Sequence, residues 1–158
     1  MMEVGNGMTE AEDRAHFSMW CMLAAPLMAG NDLSAMSPQT IEILTNREAI
    51  AVDQDSLGIQ GLKYLAEDSL EVWFKPLTGG EWAACFLNRS RLPKKVLFDW
   101  KSHKIEDSFS GRAIDFSTSQ WRIRDLWAHR EIGTTRKPFS AEIPSHDVRM
   151  LRLQPARK

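Results

Sequence analysis

The 158-residue sequence predicts two kinds of structure in series, an α/β fragment over residues 1–57 and an antiparallel all-β sandwich over residues 58–158. Three observations predict it. The chain opens with a capped apolar helix, a short apolar run and a polar loop, which is the grammar of an α/β fold. From Leu57 onward glycines punctuate short runs rich in β-branched and aromatic residues, which is the grammar of antiparallel strands. A complete (β/α)8 barrel takes about 250 residues, so the first part is too short to close a barrel.

Thr9-Glu10-Ala11-Glu12 is a capping box and starts the first helix. Ala15, Met19, Met22 and Leu23 follow at helical spacing with Phe17, Trp20 and Cys21 between them. That helix is apolar nearly all round, so it is predicted to be buried inside something larger than itself, with Pro26 as its stop. Leu27-Met28-Ala29-Gly30 reads as an interior parallel strand closed by the polar turn Asn31-Asp32. Ser37-Pro38 supplies an N-cap with proline at the first helical position; Ile41, Ile43 and Leu44 lie behind it and Asn46 closes the turn. A second helical segment covers about Arg47 to Val52, and the boundary falls between Asp55 and Gly58.

Beyond it, Leu70–Lys75 alternates, Leu77-Thr78-Gly79-Gly80 turns, and Glu81–Leu87 returns as a hairpin partner. Lys95–Trp100, Trp121–Trp127 and Val148–Leu153 are predicted strands, with Ser117–Ser119 and Gly133–Lys137 as connections. Short strands recurring every 8–12 residues or so describe a sandwich.

Twenty Lys plus Arg against 21 Asp plus Glu leave a net charge of -1, with no footprint for a nucleic acid or an anionic membrane. The longest mostly apolar stretch, Phe17–Gly30, contains Pro26 and falls short of the ~20 residues of a bilayer span. Residues Met1–Gly7 show no signal-peptide pattern. Cys21 and Cys85 lie in no ligand spacing and read as buried small side chains. His16, His103, His129 and His146 form no metal pattern, and Lys94-Lys95 and the tail Arg152–Lys158 read as solvated charge. Trp73, Trp82, Trp100, Trp121 and Trp127 could stack on sugars, but in strand-like runs they are expected to be core. A lone buried strand leaves N–H and C=O groups without partners, so neighbours of the first 57 residues are missing. The half-barrel surface around Phe17, Trp20 and Leu27 is expected to be exposed, and self-association through it is the protein contact this reading leaves open.

His16-Phe17-Ser18-Met19-Trp20, Ala24-Ala25-Pro26-Leu27, Gly30-Asn31-Asp32-Leu33, Ile43-Leu44-Thr45-Asn46, Ile50-Ala51-Val52-Asp53-Gln54-Asp55, Leu57-Gly58 and Gln60-Gly61 together resemble the C-terminal part of an α-galactosidase of the melibiase family of retaining glycoside hydrolases. Glu71-Val72-Trp73 with Lys75-Pro76-Leu77, Arg124-Asp125-Leu126-Trp127 and Val148–Leu153 resemble that family's C-terminal β-domain more loosely. The resemblance implies the last strand and helices of a (β/α)8 barrel followed by the β-domain, with the chain starting late in the barrel. Met1 takes the place of a family methionine that lines the galactose pocket.

Retaining hydrolysis needs a nucleophilic carboxylate and an acid/base carboxyl about 5–5.5 Å apart. In the family both are aspartates on earlier barrel strands, so the resemblance assigns no catalytic residue here: both are expected upstream of Met1. Asn31 and Asp32, at the carboxyl end of the predicted strand, are candidates for the pocket rim, the face where barrels place their chemistry. Asp32 is otherwise a loop carboxylate holding backbone N–H groups, and Asp53 and Asp55 read as structural. The resemblance implies an α-galactoside as substrate in the complete enzyme, no cofactor and no metal, and an isolated chain without activity. Two alternatives stand beside it: a non-catalytic carbohydrate-binding or interaction module derived from such an enzyme, and part of an α-N-acetylgalactosaminidase. An exported parent, secreted, periplasmic or lysosome-like, is compatible with the resemblance, and the N-terminus does not decide it.

Overall fold

A computed structural model describes residues 1–156. Three helices come first, α1 (Glu10–Met22), α2 (Pro38–Leu44) and α3 (Arg47–Asp53). Ten strands follow: β1 (Leu62–Glu67), β2 (Leu70–Pro76), β3 (Trp82–Asn88), β4 (Lys94–Phe98), β5 (Lys104–Asp107), β6 (Arg112–Asp115), β7 (Trp121–Asp125), β8 (Arg130–Thr134), β9 (Phe139–Ile143) and β10 (Val148–Pro155). They form a six-stranded sheet in the order β1-β2-β3-β10-β7-β8 and two ribbons, β4-β9 and β5-β6. Every pairing between these strands is antiparallel.

The large sheet is the middle layer of three. Side chains alternate across a strand, and β3 shows both faces in use. Trp82, Ala84 and Phe86 join Phe98, Trp100, Ile105 and Phe139 in the core shared with the ribbons. Ala83 and Cys85 join Phe17, Cys21, Met22, Ala49 and Val52 in a second core under the helices. In β10, Leu151 and Leu153 face the ribbons while Val148 and Met150 face the helices. Central strands covered on both sides read as unbroken apolar runs, which is why β3 shows little alternation in sequence.

Polar contacts fasten the helices to the sheet. Arg14 forks onto the Asp147 carboxylate at 2.9 and 2.8 Å, and Arg124 onto Glu48 at 2.6 and 2.8 Å. The last carbonyls of α1, which have no partner inside a helix, are taken by the sheet side of the molecule. The fully buried Lys75 donates its ammonium to the Cys21 carbonyl at 3.0 Å, and the Gly61 amide donates to the Met22 carbonyl at 2.6 Å.

The capping box at Thr9 has both of its reciprocal bonds, Ser37 caps α2 with Pro38 behind it, and the β2–β3 hairpin turns through Gly79 and Gly80, at φ 72° and 77°. Other expectations are corrected. Leu27–Gly30 is not a buried interior strand: it makes one parallel bridge, Met2 with Ala29, and Met28 is 58% exposed. Its only described pairing partner is a single residue, and pairing that short builds no sheet to bury it. Helix α1 ends at Met22, ahead of Pro26, because Ala24 turns into the left-handed region at φ 51°. Phe17 does not belong to an exposed face; it is 1% exposed and packs edge-on to Trp127, with Trp20 and Leu27 partly buried.

Asn46 opens α3 instead of closing α2, accepting the Glu48 and Ala49 amides at 3.0 and 3.1 Å. Trp100 sits in a tight turn after β4, Trp127 in a turn after β7, and Gly133 and Thr134 belong to β8. Arg152 is not solvated charge, since its guanidinium pairs with Glu81 at 2.5 Å; Arg157 and Lys158 of that tail lie outside the described residues.

Candidate functional site

The site begins at the Met2–Ala29 bridge. The Met2 amide donates to the Met28 carbonyl at 2.7 Å and the Gly30 amide to the Met2 carbonyl at 3.0 Å. A side chain at Gly30 would place its Cβ 2.6 Å from the Met2 carbonyl oxygen, so the close approach requires glycine. Asn6 clamps the other side, its side-chain amide donating to Glu3 at 2.8 Å and to the Gly30 carbonyl at 3.3 Å.

Beyond the bridge the chain opens into a cleft of about 400 Å³, walled by Gly5–Met8 on one side and by Asn31, Asp32 and the Ala35–Ser37 turn with Thr40 on the other. Asn31 and Asp32 both line this cleft. Met1 is not among the lining residues; it lies beside Gly30 and is 71% exposed. Sequence reasoning missed Gly5, Asn6, Met36 and Thr40. The one local signal for them is the run Gly5-Asn6-Gly7, with both glycines at positive φ, which shapes a loop.

Asp32 accepts the Ser34 hydroxyl at 2.6 Å and the Ser34 amide at 2.9 Å. Those two bonds hold its carboxyl below the ordinary carboxylate range, so it stays ionised and tied into its own turn. The Asn31 side-chain oxygen is buried with no hydrogen-bond partner among the described residues. Among the described residues no second acid lines the cleft. Glu12 is used by the capping box, and Asp13 accepts the Gly5 amide with both oxygens. Asp55 fastens Leu57 and Thr78. Asp53 lies near Lys75, and burial pushes its pKa up.

Elsewhere the side chains follow structural roles. Trp82 and Trp100 are fully buried, Trp121 is in the same core, and Trp73 and Trp127 bond Glu71 and Ser18 at 2.9 Å each. His103 stacks on Phe98 and bonds Tyr64; His129 bonds Glu48. Cys21 and Cys85 are free and buried, and burial pushes both thiols up. Among the described residues no group of three His, Cys, Asp or Glu side chains could hold a metal. Another cleft, of about 510 Å³, opens between β8 and β9, but its Asp125 is committed to the Trp127 and Ala128 amides.

The parallel bridge with its loop cleft, fastened through helices to an antiparallel sandwich, is matched in the C-terminal part of glycoside hydrolases. The particular family follows from two family models. Residues 67–153 match the α-galactosidase C-terminal β-sandwich domain, and residues 1–55 match α-galactosidase A. The chain belongs to the α-galactosidase (melibiase) family. It is 48% identical to α-galactosidase A of Cellvibrio japonicus over 98% of this chain and 38% of that protein. It is 41% identical to an α-galactosidase of Oryza sativa over 98% of this chain and 35% of that protein. The crystal structure of α-galactosidase I from Mortierella vinacea superposes with a TM-score of 0.86 at 29% identity, covering 99% of this chain and 38% of that one. The chain therefore spans little more than a third of the length of these relatives.

Proposed function

We propose that this chain supplies the C-terminal part of an α-galactosidase that removes terminal α-linked galactose with retention, and that both catalytic carboxylates belong to residues outside it. The observation that carries this reading is the cleft with one carboxylate, Asp32, already closed into a turn by Ser34. Retaining hydrolysis takes two carboxyls about 5–5.5 Å apart, one ionised and one protonated. On this reading Asn31 and Asp32 shape the rim from the cleft just past the Met2–Ala29 bridge, and Met1, outside the cleft lining, lies beside Gly30. The reaction so read uses no cofactor. The residues that distinguish galactose from N-acetylgalactosamine lie outside this chain on the same reading.

A fluorogenic α-galactoside assay on the purified chain tests it. The rate is expected at the level of the blank, and turnover lost in Asp32→Asn would show that the chemistry resides here after all. A second reading, a non-catalytic carbohydrate-binding or interaction module, is favoured by the exposure of Met1 (71%), Met28 (58%), Leu33 (65%) and Ile41 (44%). Apolar side chains of the barrel remnant left open in this way invite a partner or a second copy. Size-exclusion chromatography separates the two: a concentration-dependent dimer supports the module, and a monomer counts against it.

A further inference from the structure

Residues 3–5 hang on one side of α1 by two backbone N–H groups. The Gly5 amide donates to both carboxylate oxygens of Asp13 at 3.1 Å, and the Glu3 amide donates to Nε2 of His16 at 3.3 Å. Asp13 and His16 are three residues apart on the helix and so present neighbouring side chains. The segment they hold carries the Met2–Ala29 bridge, and Asn6 just after it binds the Gly30 carbonyl. Met2 and Val4 seat the segment in the core under the helices, and the two acceptors on α1 fix its polar edge beside the cleft.

A proton affects the two acceptors differently. A protonated carboxyl keeps a carbonyl oxygen that accepts a hydrogen bond, whereas an imidazolium has two donors and no acceptor. The bond from the Glu3 amide exists only while His16 is neutral with its hydrogen on Nδ1; an added proton on Nε2 would set N–H against N–H. The charged groups facing the ring are Asp13 on α1 and the Glu3 carboxylate on the hanging segment. The Trp20 ring, 5.7 Å away, is neutral. Burial lowers the His16 pKa, while Asp13 and Glu3 oppose it; the net shift is downward from 6.5. The neutral form is therefore the resting one at pH 7.

We propose that His16 is a positioning residue that fastens the Met2–Glu3 segment to α1 only in its neutral form, so that acidification loosens the Glu3 end of this wall while Asp13 keeps its hold on Gly5. A histidine whose folded pKa is depressed contributes stability that is present above 6.5 and is lost as the pH falls through the folded value. The anchor does not depend on what the cleft binds; only its bearing on a sugar rests on the reading above.

An NMR titration of the full chain between pH 8 and pH 4.5, without any sugar, tests the switch. The His16 ring and the Glu3 and Gly30 amides are expected to share one midpoint below the ordinary histidine value, with Glu3 protection dropping about tenfold across it. In His16→Gln the side-chain oxygen can accept from the same amide without titrating, so that shared transition should vanish. His16→Phe should show weak Glu3 protection at every pH. The proposal is overturned if the wild-type His16 ring titrates while Glu3 and Gly30 stay still, or if their transition persists in His16→Gln.

Discussion

Replacing Arg14 by alanine tests how the helices are held to the sheet. The Arg14 fork reaches Asp147, whose side chain is 4% exposed, and Asp147 has one other described hydrogen bond to its carboxylate, from the Val148 amide at 2.7 Å. Removing one partner of a buried pair typically costs about 3–5 kcal/mol, because the other charge stays buried and uncompensated. Arg14 itself is 26% exposed, so water can enter the vacated space and soften that penalty. A loss of about 2–3 kcal/mol follows. With a urea m-value of about 2 kcal/mol/M, the midpoint of Arg14→Ala should fall by about 1–1.5 M at unchanged slope. Asp147→Ala placed on top of it removes the stranded charge, so the double variant should be no less stable than the single one. A midpoint within about 0.3 M of wild type, or a double variant whose losses simply add, would refute the reasoning.

Acid should weaken the second fork: the Arg124 guanidinium holds the Glu48 carboxyl below 4.5, so its contribution is present above that value and lost as pH falls through the folded pKa. Acid unfolding of Arg124→Met should be shallower than wild type in that window. Gly30→Ala should break the Met2–Ala29 bridge, because the new Cβ lies 2.6 Å from the Met2 carbonyl oxygen; hydrogen exchange at Met2 should rise while the β3 and β10 amides keep their protection. Asn88-Arg89-Ser90 is a glycosylation triplet, yet the Asn88 amide is fully buried and donates to the Leu92, Ile143 and Pro144 carbonyls at 2.8–3.1 Å. Mass spectrometry of folded chain secreted from a yeast host should find Asn88 bare.

Local chemistry was legible in the sequence where one short segment decides the outcome. The Thr9–Glu12 box, Ser37-Pro38 and the Gly79-Gly80 turn each carry their partner within four residues, and all three form. Five strands went unrecognised. β8 is exposed along nearly all its length and β5 and β6 have four residues each, so none displays an apolar face long enough to read. β1 is an edge strand whose pairing is interrupted by a register shift at Lys63/Leu65. β9 closes a two-residue-deep alternation, Phe139 and Ile143 buried, inside a stretch dominated by turn residues. Asn31 and Asp32 were singled out from their place after an apolar run, and both line the cleft. Asn6 and Thr40 were not, because their contacts cross 24 residues in one case and depend on the conformation of Gly5 in the other.

Helix α1 explains why a barrel remnant and a sandwich behave as one object in this structure. Its Phe17, Cys21 and Met22 are buried in the core completed by Ala83, Cys85 and Met150 of the sheet, its Arg14 is forked to Asp147, and its final carbonyls are taken by Lys75 and Gly61. Its Asp13 and His16 carry the segment that walls the cleft. Arg14 lies next to Asp13 in the chain, so a residue anchored by the sandwich is one peptide away from a residue that sets the wall. A helix transmits displacement along its length with little distortion. A substitution at Asp147, in the turn leading into β10 and outside the cleft, should therefore shift the Gly5 and Asn31 amide resonances, whereas an exposed change at Phe109 on the β5–β6 tip should leave both in place.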